Sequence, residues 1–402
     1  MNTTKRHGIY KTLTGDTIYN SQVATLVFLT GIGFKLSAAP GILSEDLGSS
    51  AFWAFLCYSL IDVFISVLVF LFVLRNGDTL LTATSNVAYR LISLGVMCFL
   101  TLKGIFLFSY ASSYLTHELF QGIEPSLIYL LFLLPVVYLG AKGISSLSRT
   151  AEIMFPVIFL MIAANLVFLQ TKMDFARVLP VFSKEPTELA KLFPRYGVWF
   201  GDTLPFLFVR IKNKKLPYIT IGLTGTWLFV NLVLLLGVAI YGDALKTVTD
   251  LLIRIAGFNQ LSKDIGRTEW TNLLSVLIAS IISLAFTYFG ALSACKRTFR
   301  TAAPIKIGYP LAILLAVLLI PSAQTVTDFS IGDFGYVMFL LAILLPILAA
   351  FAYCLQTAKL QHVSKLLDDE YTVDKQKPQI KDSDKLGILD GFKQEQSSPT
   401  SV

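Results

Sequence analysis

Apolar runs near the roughly 20 residues that a helix needs to cross a bilayer recur along this chain. Two of them are interrupted alike. The first, Val27 to Gly41, carries Gly31, Gly33, Lys35, Ser37 and Pro40 inside the run. The second, Phe193 to Phe206, carries Gly197, Trp199, Gly201, Asp202 and Pro205. Glycine, proline and a charge at mid-span open a membrane helix. Broken helices in matching positions of two halves point to the binding site of a transporter-type fold.

Composition supports the membrane reading. Charged residues make up 15% of the chain and hydrophobic residues 54%, where a soluble domain is about 25% charged. The aromatic share suits a lipid-facing surface with interfacial belts. No cleavable signal peptide is expected, because Lys5, Arg6, His7 and Lys11 lead into a long span without a small-residue cleavage site. Cys57, Cys98, Cys295 and Cys354 lie in or beside apolar runs, with neither metal-ligand spacing nor a disulfide framework. The histidines are scattered. Phosphate-loop and nucleophile-elbow motifs are missing, so neither an ATP-driven pump nor a hydrolase is supported. We therefore expect no enzyme, no cofactor and no metal. The net charge of +7 reports topology and anionic lipid rather than a nucleic-acid partner.

Ten spans are predicted: 22–43, 51–74, 93–117, 126–144, 150–170, 194–210, 217–241, 269–293, 306–323 and 334–356. Residues 78–91 read as a short surface helix, too polar to span. Residues 243–265 place Leu245, Val248, Leu251, Leu252 and Ile255 at helical spacing among charges, which predicts an interfacial or re-entrant helix. Lys and Arg concentrate in alternate short loops (Arg75 and Arg90; Lys142 and Arg149; Arg210, Lys212, Lys214 and Lys215; Lys296, Arg297, Arg300 and Lys306). By the positive-inside rule both termini are cytoplasmic.

The expected organisation is an N-terminal segment 1–21, a five-helix repeat 22–170, an outer loop 171–193, a second five-helix repeat 194–357 and a polar tail 358–402. The tail reads as a short helix followed by disorder. Five helices per half force the halves into opposite orientations, giving an all-α membrane protein with a 5+5 inverted repeat and broken helices one and six. Unwinding frees backbone groups, which are tolerated at depth only where they line a cavity. The distal half-helices then present N–H groups near Ser37–Pro40 and Asp202–Pro205, suited to a substrate carboxylate.

A lysine at mid-span costs on the order of 2.5–3.5 kcal/mol, so Lys35 should face the interior. Asp202 is the attractive partner, with Asp62 and Lys103 as further candidates, unless Lys35 meets a substrate carboxylate or snorkels toward Glu45 and Asp46. Lys103 can snorkel too. Hydroxyls on span eight (Ser280, Ser283, Thr287) and span three (Ser109, Tyr110, Ser113) either glue helices together or line the centre. Tyr110, Trp199 and Thr287 are the candidate walls for a small amino-acid-like ligand. The coupling ion is open between a proton and none, as is sensing without transport.

Several short motifs resemble the spore germination permease family, the membrane B subunits of germinant receptors within the amino acid–polyamine–organocation superfamily. They are residues 33–53, with their broken helix, proline and Gly-x-x-Ala-x-Trp turn; Ser148 to Pro156; Leu179-Pro180; and Gly266 to Trp270. Lys35 and the acidic-rich tail depart from the usual pattern. The resemblance implies a small germinant, typically an amino acid, bound against Gly31, Gly33 and Ser37 of span one, Gly197, Gly201 and Asp202 of span six, and Thr287 of span eight. It implies an A-type membrane subunit and a C-type lipoprotein as partners, in the spore inner membrane. The alternative on the same fold is a secondary active amino acid transporter.

Overall fold

With no water in hydrocarbon, a chain this apolar must satisfy its backbone within each segment, which favours helices. The computed structural model follows that rule, and its described residues are 17–36, 39–75, 87–116, 123–167, 173–179, 191–212, 216–248, 251–256, 269–319 and 332–376. In chain order the α-helices are α1 (Asn20–Lys35), α2 (Ala39–Leu47), α3 (Ala51–Arg75), α4 (Val87–Tyr114), α5 (Pro125–Lys142), α6 (Ile144–Val167), α7 (Leu216–Tyr241), α8 (Leu251–Ala256), α9 (Glu269–Phe299), α10 (Ala303–Leu319) and α11 (Asp333–Gln376). Residues Phe193–Trp199, Leu204–Phe208 and Gly242–Thr247 form 3₁₀ helices. Two-residue strands β1 (Thr17–Ile18) and β2 (Arg210–Ile211) pair in parallel, and Lys212 N–H extends the ladder to the Ile18 carbonyl at 2.8 Å. Compact units divide the chain into Met1–Ala350 and Phe351–Val402.

Seven helices among the described residues are long and apolar enough to cross a membrane: those in α3, α4, α5, α6, α7, α9 and α11. The protein is a multi-pass membrane protein. The other three expected spans are not single long helices. Residues 22–43 divide into α1 and α2, 194–210 are two 3₁₀ segments, and 306–323 correspond to the 17-residue α10. The first two carry local marks. Proline lacks an N–H, and its ring clashes with the carbonyl four residues back, so it is best placed in a first turn, where Pro40 and Pro205 both sit. Pro135, Pro156, Pro310 and Pro346 lie inside helices, so proline alone does not make the breaks.

α9 is the hub, packing against α1, α4, α5 and α6. In its span 72% of residues are buried inside the protein, against 22% for α6, which faces outward with Ile153, Val157 and Leu160 exposed. Small residues allow the close approach. A Cβ on Gly33 would lie 2.7 Å from the Ala279 carbonyl oxygen of α9, and one on Gly222 of α7 would lie 2.6 Å from the Ala24 carbonyl of α1. Without a hydrophobic drive in lipid, such small-residue contacts hold membrane helices together, and they sandwich α1 between α7 and α9.

Two expectations are refined. In the segment predicted as interfacial or partly re-entrant, Leu245, Leu251, Leu252 and Ile255 are buried at 1% exposure or less, in the Gly242–Thr247 turn and in α8. Their apolar face meets protein: Ser44 donates to the Leu245 carbonyl, and Asn272 of α9 to that of Leu252. The tail's helix is the continuation of α11 to Gln376 rather than a separate element. Residues 78–86 of the predicted surface helix, 257–268 and 377–402 lie outside the described residues, and α4 already begins at Val87.

Candidate functional site

α1 ends on Lys35, with Leu36 closing it through an N–H bond to the Ile32 carbonyl. A cation in the last turn suits the negative end of the helix dipole. Ser37 lies outside the described residues. The second break runs from Trp199 to Leu204. Phe200 is extended, Gly201 sits at φ +77°, and the chain resumes as Leu204–Phe208 with Pro205 in the first turn. Positive φ favours glycine because other residues push Cβ against the following carbonyl. Thr203 pins the turn by bonding Ser66 of α3 at 3.2 Å.

This geometry places Asp202 between two lysines. Its Oδ2 is 2.8 Å from Lys35 Nζ and its Oδ1 is 2.6 Å from Lys103 Nζ. Lys35 also pairs with Asp62 Oδ2 of α3 at 2.9 Å, and Lys103 donates to the Phe200 carbonyl at 2.6 Å. The result is an alternating chain, Asp62–Lys35–Asp202–Lys103, with no net formal charge. Lys35 and Lys103 are 2% and 1% exposed, so neither snorkels. Lys35 also lies over the Trp227 ring of α7, 4.4 Å from its centroid. Four charges taken out of water are tolerable only because each has an opposite partner. Together they tie both breaks to α3 and α4.

The remaining candidate residues distribute around this chain. Gly31 lies within regular α1, where an added Cβ would be 2.4 Å from Thr226 Cγ2 of α7. Gly33 faces α9, and its carbonyl accepts the Ser280 hydroxyl at 3.0 Å. A small cavity beside that contact is lined by Leu107 of α4 and Ser280, Ser283 and Leu284 of α9. Tyr110 and Thr287 follow Leu107 and Ser283 at the i,i+3 and i,i+4 spacing that shares a helix face; the buried Thr287 hydroxyl donates to the Ser283 carbonyl at 2.9 Å. Gly197 meets the backbone of Gly335 and Phe339. Trp199 is buried and stacks on Tyr196 with centroids 4.6 Å apart.

Two coverings flank the charges. At the α2 end, Asp46 accepts the Tyr196 hydroxyl and lies 3.8 Å from Arg195. Beneath it Tyr58, Tyr196 and Trp199 make a buried aromatic layer. At the other end of α1 the β1–β2 ladder joins the chain before the first broken segment to the chain after the second. There Glu152 of α6 accepts from Ser21 and Gln22. Trp227 and Tyr58 were not among the sequence candidates, and Asp46, named there only as a group toward which Lys35 could snorkel, instead pairs with Tyr196 and Arg195. A lone aromatic in an apolar run gives no sign of which way it faces.

Replacing Gly201 by alanine is expected to cost about 1–3 kcal/mol from the positive φ alone. It also sets a Cβ 3.0 Å from Phe99 Cζ. A lowered thermal midpoint of the detergent-solubilised variant checks this; an unchanged midpoint would mean that the turn relaxes freely.

Three comparisons bear on what the chain is. The fold matches the crystal structure of MhsT in complex with L-phenylalanine at a TM-score of 0.52 and 14% identity, over 85% of this chain and 99% of that one. A manganese transporter from Eremococcus coleocola aligns over 90% of this chain and 74% of its own at 13% identity, with a TM-score of 0.32, too low to carry an argument. No curated protein matches the sequence. The family described as spore germination protein matches residues 17–327, a stretch that holds both breaks and all four charges. With a transporter-type fold and most of the chain matched, the protein belongs to the spore germination protein family.

Proposed function

We propose that this chain is the membrane subunit of a spore germinant receptor and binds a small amino-acid-like germinant between its two broken helices. The observation that carries the reading is the pair of breaks held face to face by Lys35 and Asp202 at 2.8 Å. Opposite charges at two helix breaks, Lys35 at one and Asp202 at the other, suit a solute bearing both a carboxylate and an ammonium. In this reading α1–α2 and 193–208 are spans one and six, and α10 is span nine of a ten-helix 5+5 inverted repeat with halves 22–170 and 194–357. Residues 1–21, 171–193 and 358–402 are then the N-terminal segment, the outer loop and the tail. Gly31, Gly33, Lys35, Ser37, Tyr110, Gly197, Trp199, Gly201, Asp202 and Thr287 surround the ligand. Both termini are cytoplasmic, the membrane is the spore inner membrane, and the partners are an A-type membrane subunit and a C-type lipoprotein.

A second reading, secondary amino acid transport, is favoured by the fold shared with MhsT, which was crystallised with L-phenylalanine. Coverings on both sides of the charges suit either activity.

The test is a thermal-shift screen of the purified protein against each of the proteinogenic amino acids, followed by liposome uptake of any hit. A ligand at 100 times its Kd should stabilise the protein by about 2.7 kcal/mol. Binding without uptake supports the receptor and saturable uptake supports the transporter. No stabilisation by any amino acid overturns the ligand class.

A further inference from the structure

The two carboxylates of the buried chain are not equivalent. Asp202 has both oxygens occupied, one by each lysine. Asp62 has only Oδ2 occupied, by Lys35. Among the described residues its Oδ1 is buried without a hydrogen-bond partner, on a residue 3% exposed. An unpaired acceptor lone pair in a dry interior is costly, and more so when it carries charge. Asp202 leaves no such debt. A proton is the smallest species that takes the charge off Asp62 Oδ1, leaving a neutral O–H in its place, and only Asp62 can take one without giving up an existing ion-pair contact at the same oxygen.

We propose that Asp62 Oδ1 is the proton-binding site of this protein. The step is simple in its balance: a proton from water adds to Oδ1, the carboxylate becomes a carboxylic acid, and the cluster passes from no net charge to +1. Nothing else is oxidised, reduced or released. The consequence is mechanical. Lys35 loses one of its two ionic partners and keeps Asp202, so the breaks stay tied to each other while α3 is loosened from them.

The charged groups facing Asp62 among the described residues are Lys35 from α1, Asp202 from the second break and Lys103 from α4. Of the other elements packed on α3, α2 brings Asp46, engaged with Tyr196. β2 brings Arg210, and α7 brings the neutral ring of Trp227 against Phe55. Tyr58, one turn before Asp62, is held in the aromatic layer. Opposite charges from Lys35 and Lys103 set how acid the medium must be. They do not supply the missing partner of Oδ1.

The proton site needs no ligand to be tested, so its failure is separate from that of the amino-acid reading on which its coupling role rests. The experiment is an infrared difference spectrum of the full chain in liposomes between pH about 8 and about 4, a range that brackets perturbed carboxyl groups. A protonated-carboxyl C=O band at the high frequency of a dry acid should grow in at low pH. It should be lost in Asp62→Asn and remain in Asp46→Asn. If Asp62→Asn does not fold, the double variant Asp62→Asn/Lys35→Met, which keeps the neutral Asp202–Lys103 pair, should also lack the band. A dry-acid band that survives the Asp62 substitutions, or no such band in the wild type, overturns the proposal.

Discussion

Asp202→Asn is expected to destabilise the protein by about 3–5 kcal/mol, the cost of removing one partner from a buried ion pair. The side chain is isosteric, so the loss is electrostatic. Asparagine keeps one acceptor oxygen for one lysine, but its NH2 faces the other. As ionic partners, Lys35 would keep Asp62 and Lys103 would lose Asp202 while keeping the Phe200 carbonyl, leaving an excess positive charge in a dry site. Lys35→Met leaves the opposite imbalance, with Asp62 stripped of its one ionic partner. The alternating order then predicts which double variants recover. Asp202→Asn/Lys103→Met leaves the neutral pair Asp62–Lys35, and Lys35→Met/Asp62→Asn leaves Asp202–Lys103. Each double should melt above its more damaged single, with coupling on the order of 1–3 kcal/mol. Asp62→Asn alone should be milder than Asp202→Asn, since Asp62 stands at the end of the chain with one oxygen already unpaired. Thermal midpoints in one detergent measure all of these. Strict additivity would show that the four charges do not act as a unit.

How far this site could be read from the sequence depends on whether the signal was local. The breaks were legible because their marks are local: Pro40 suits the first turn of a new helix after α1, and Gly201 with Pro205 shapes the turn around Asp202. Lys35 and Asp202 were legible as a pair because a charge inside an apolar run demands a partner. Lys103 was harder. A span taken to start at 93 leaves its depth, and hence its snorkelling, undecided. The described helix is already formed at Val87, so at 1.5 Å per residue Lys103 lies at least about 24 Å along it, buried on Asp202. No sharp residue signal marks how far the helix extends before residue 93. Trp227 and Tyr58 were invisible for a different reason. In a run that is apolar on every side, periodicity does not distinguish lipid from protein, and only the packed neighbours do. The same ambiguity left 243–256 open between an interfacial and a re-entrant helix: its helical spacing was legible, but its covering by Ser44 and Asn272 was not.

Glycines at the breaks invite a reading as ligand-contacting backbone, and their surroundings rank them by a different property. Gly197→Ala is expected to be the most damaging of three alanine substitutions, at about 3 kcal/mol or more, beyond the usual overpacking cost. The new Cβ would lie 2.0 Å from the Gly335 carbonyl oxygen and 2.3 Å from the Phe339 N. Both are backbone atoms of α11, so no rotamer change makes room and one helix must move from the other. Gly31→Ala should cost less, about 1–2 kcal/mol, because its clash at 2.4 Å is with the Thr226 methyl. That side chain can turn at the expense of its bond to the Gly222 carbonyl. Gly308→Ala meets nothing within 4 Å inside α10, and should stabilise by about 0.5–1 kcal/mol through the lost backbone freedom of glycine. The measurement is the order of three thermal midpoints against wild type. If Gly197→Ala melts no lower than Gly31→Ala, the 193–199 segment is not clamped on α11. The second break would then be held by the bonds of Asp202 and Thr203, the Lys103 bond to the Phe200 carbonyl and the aromatic layer on Tyr58.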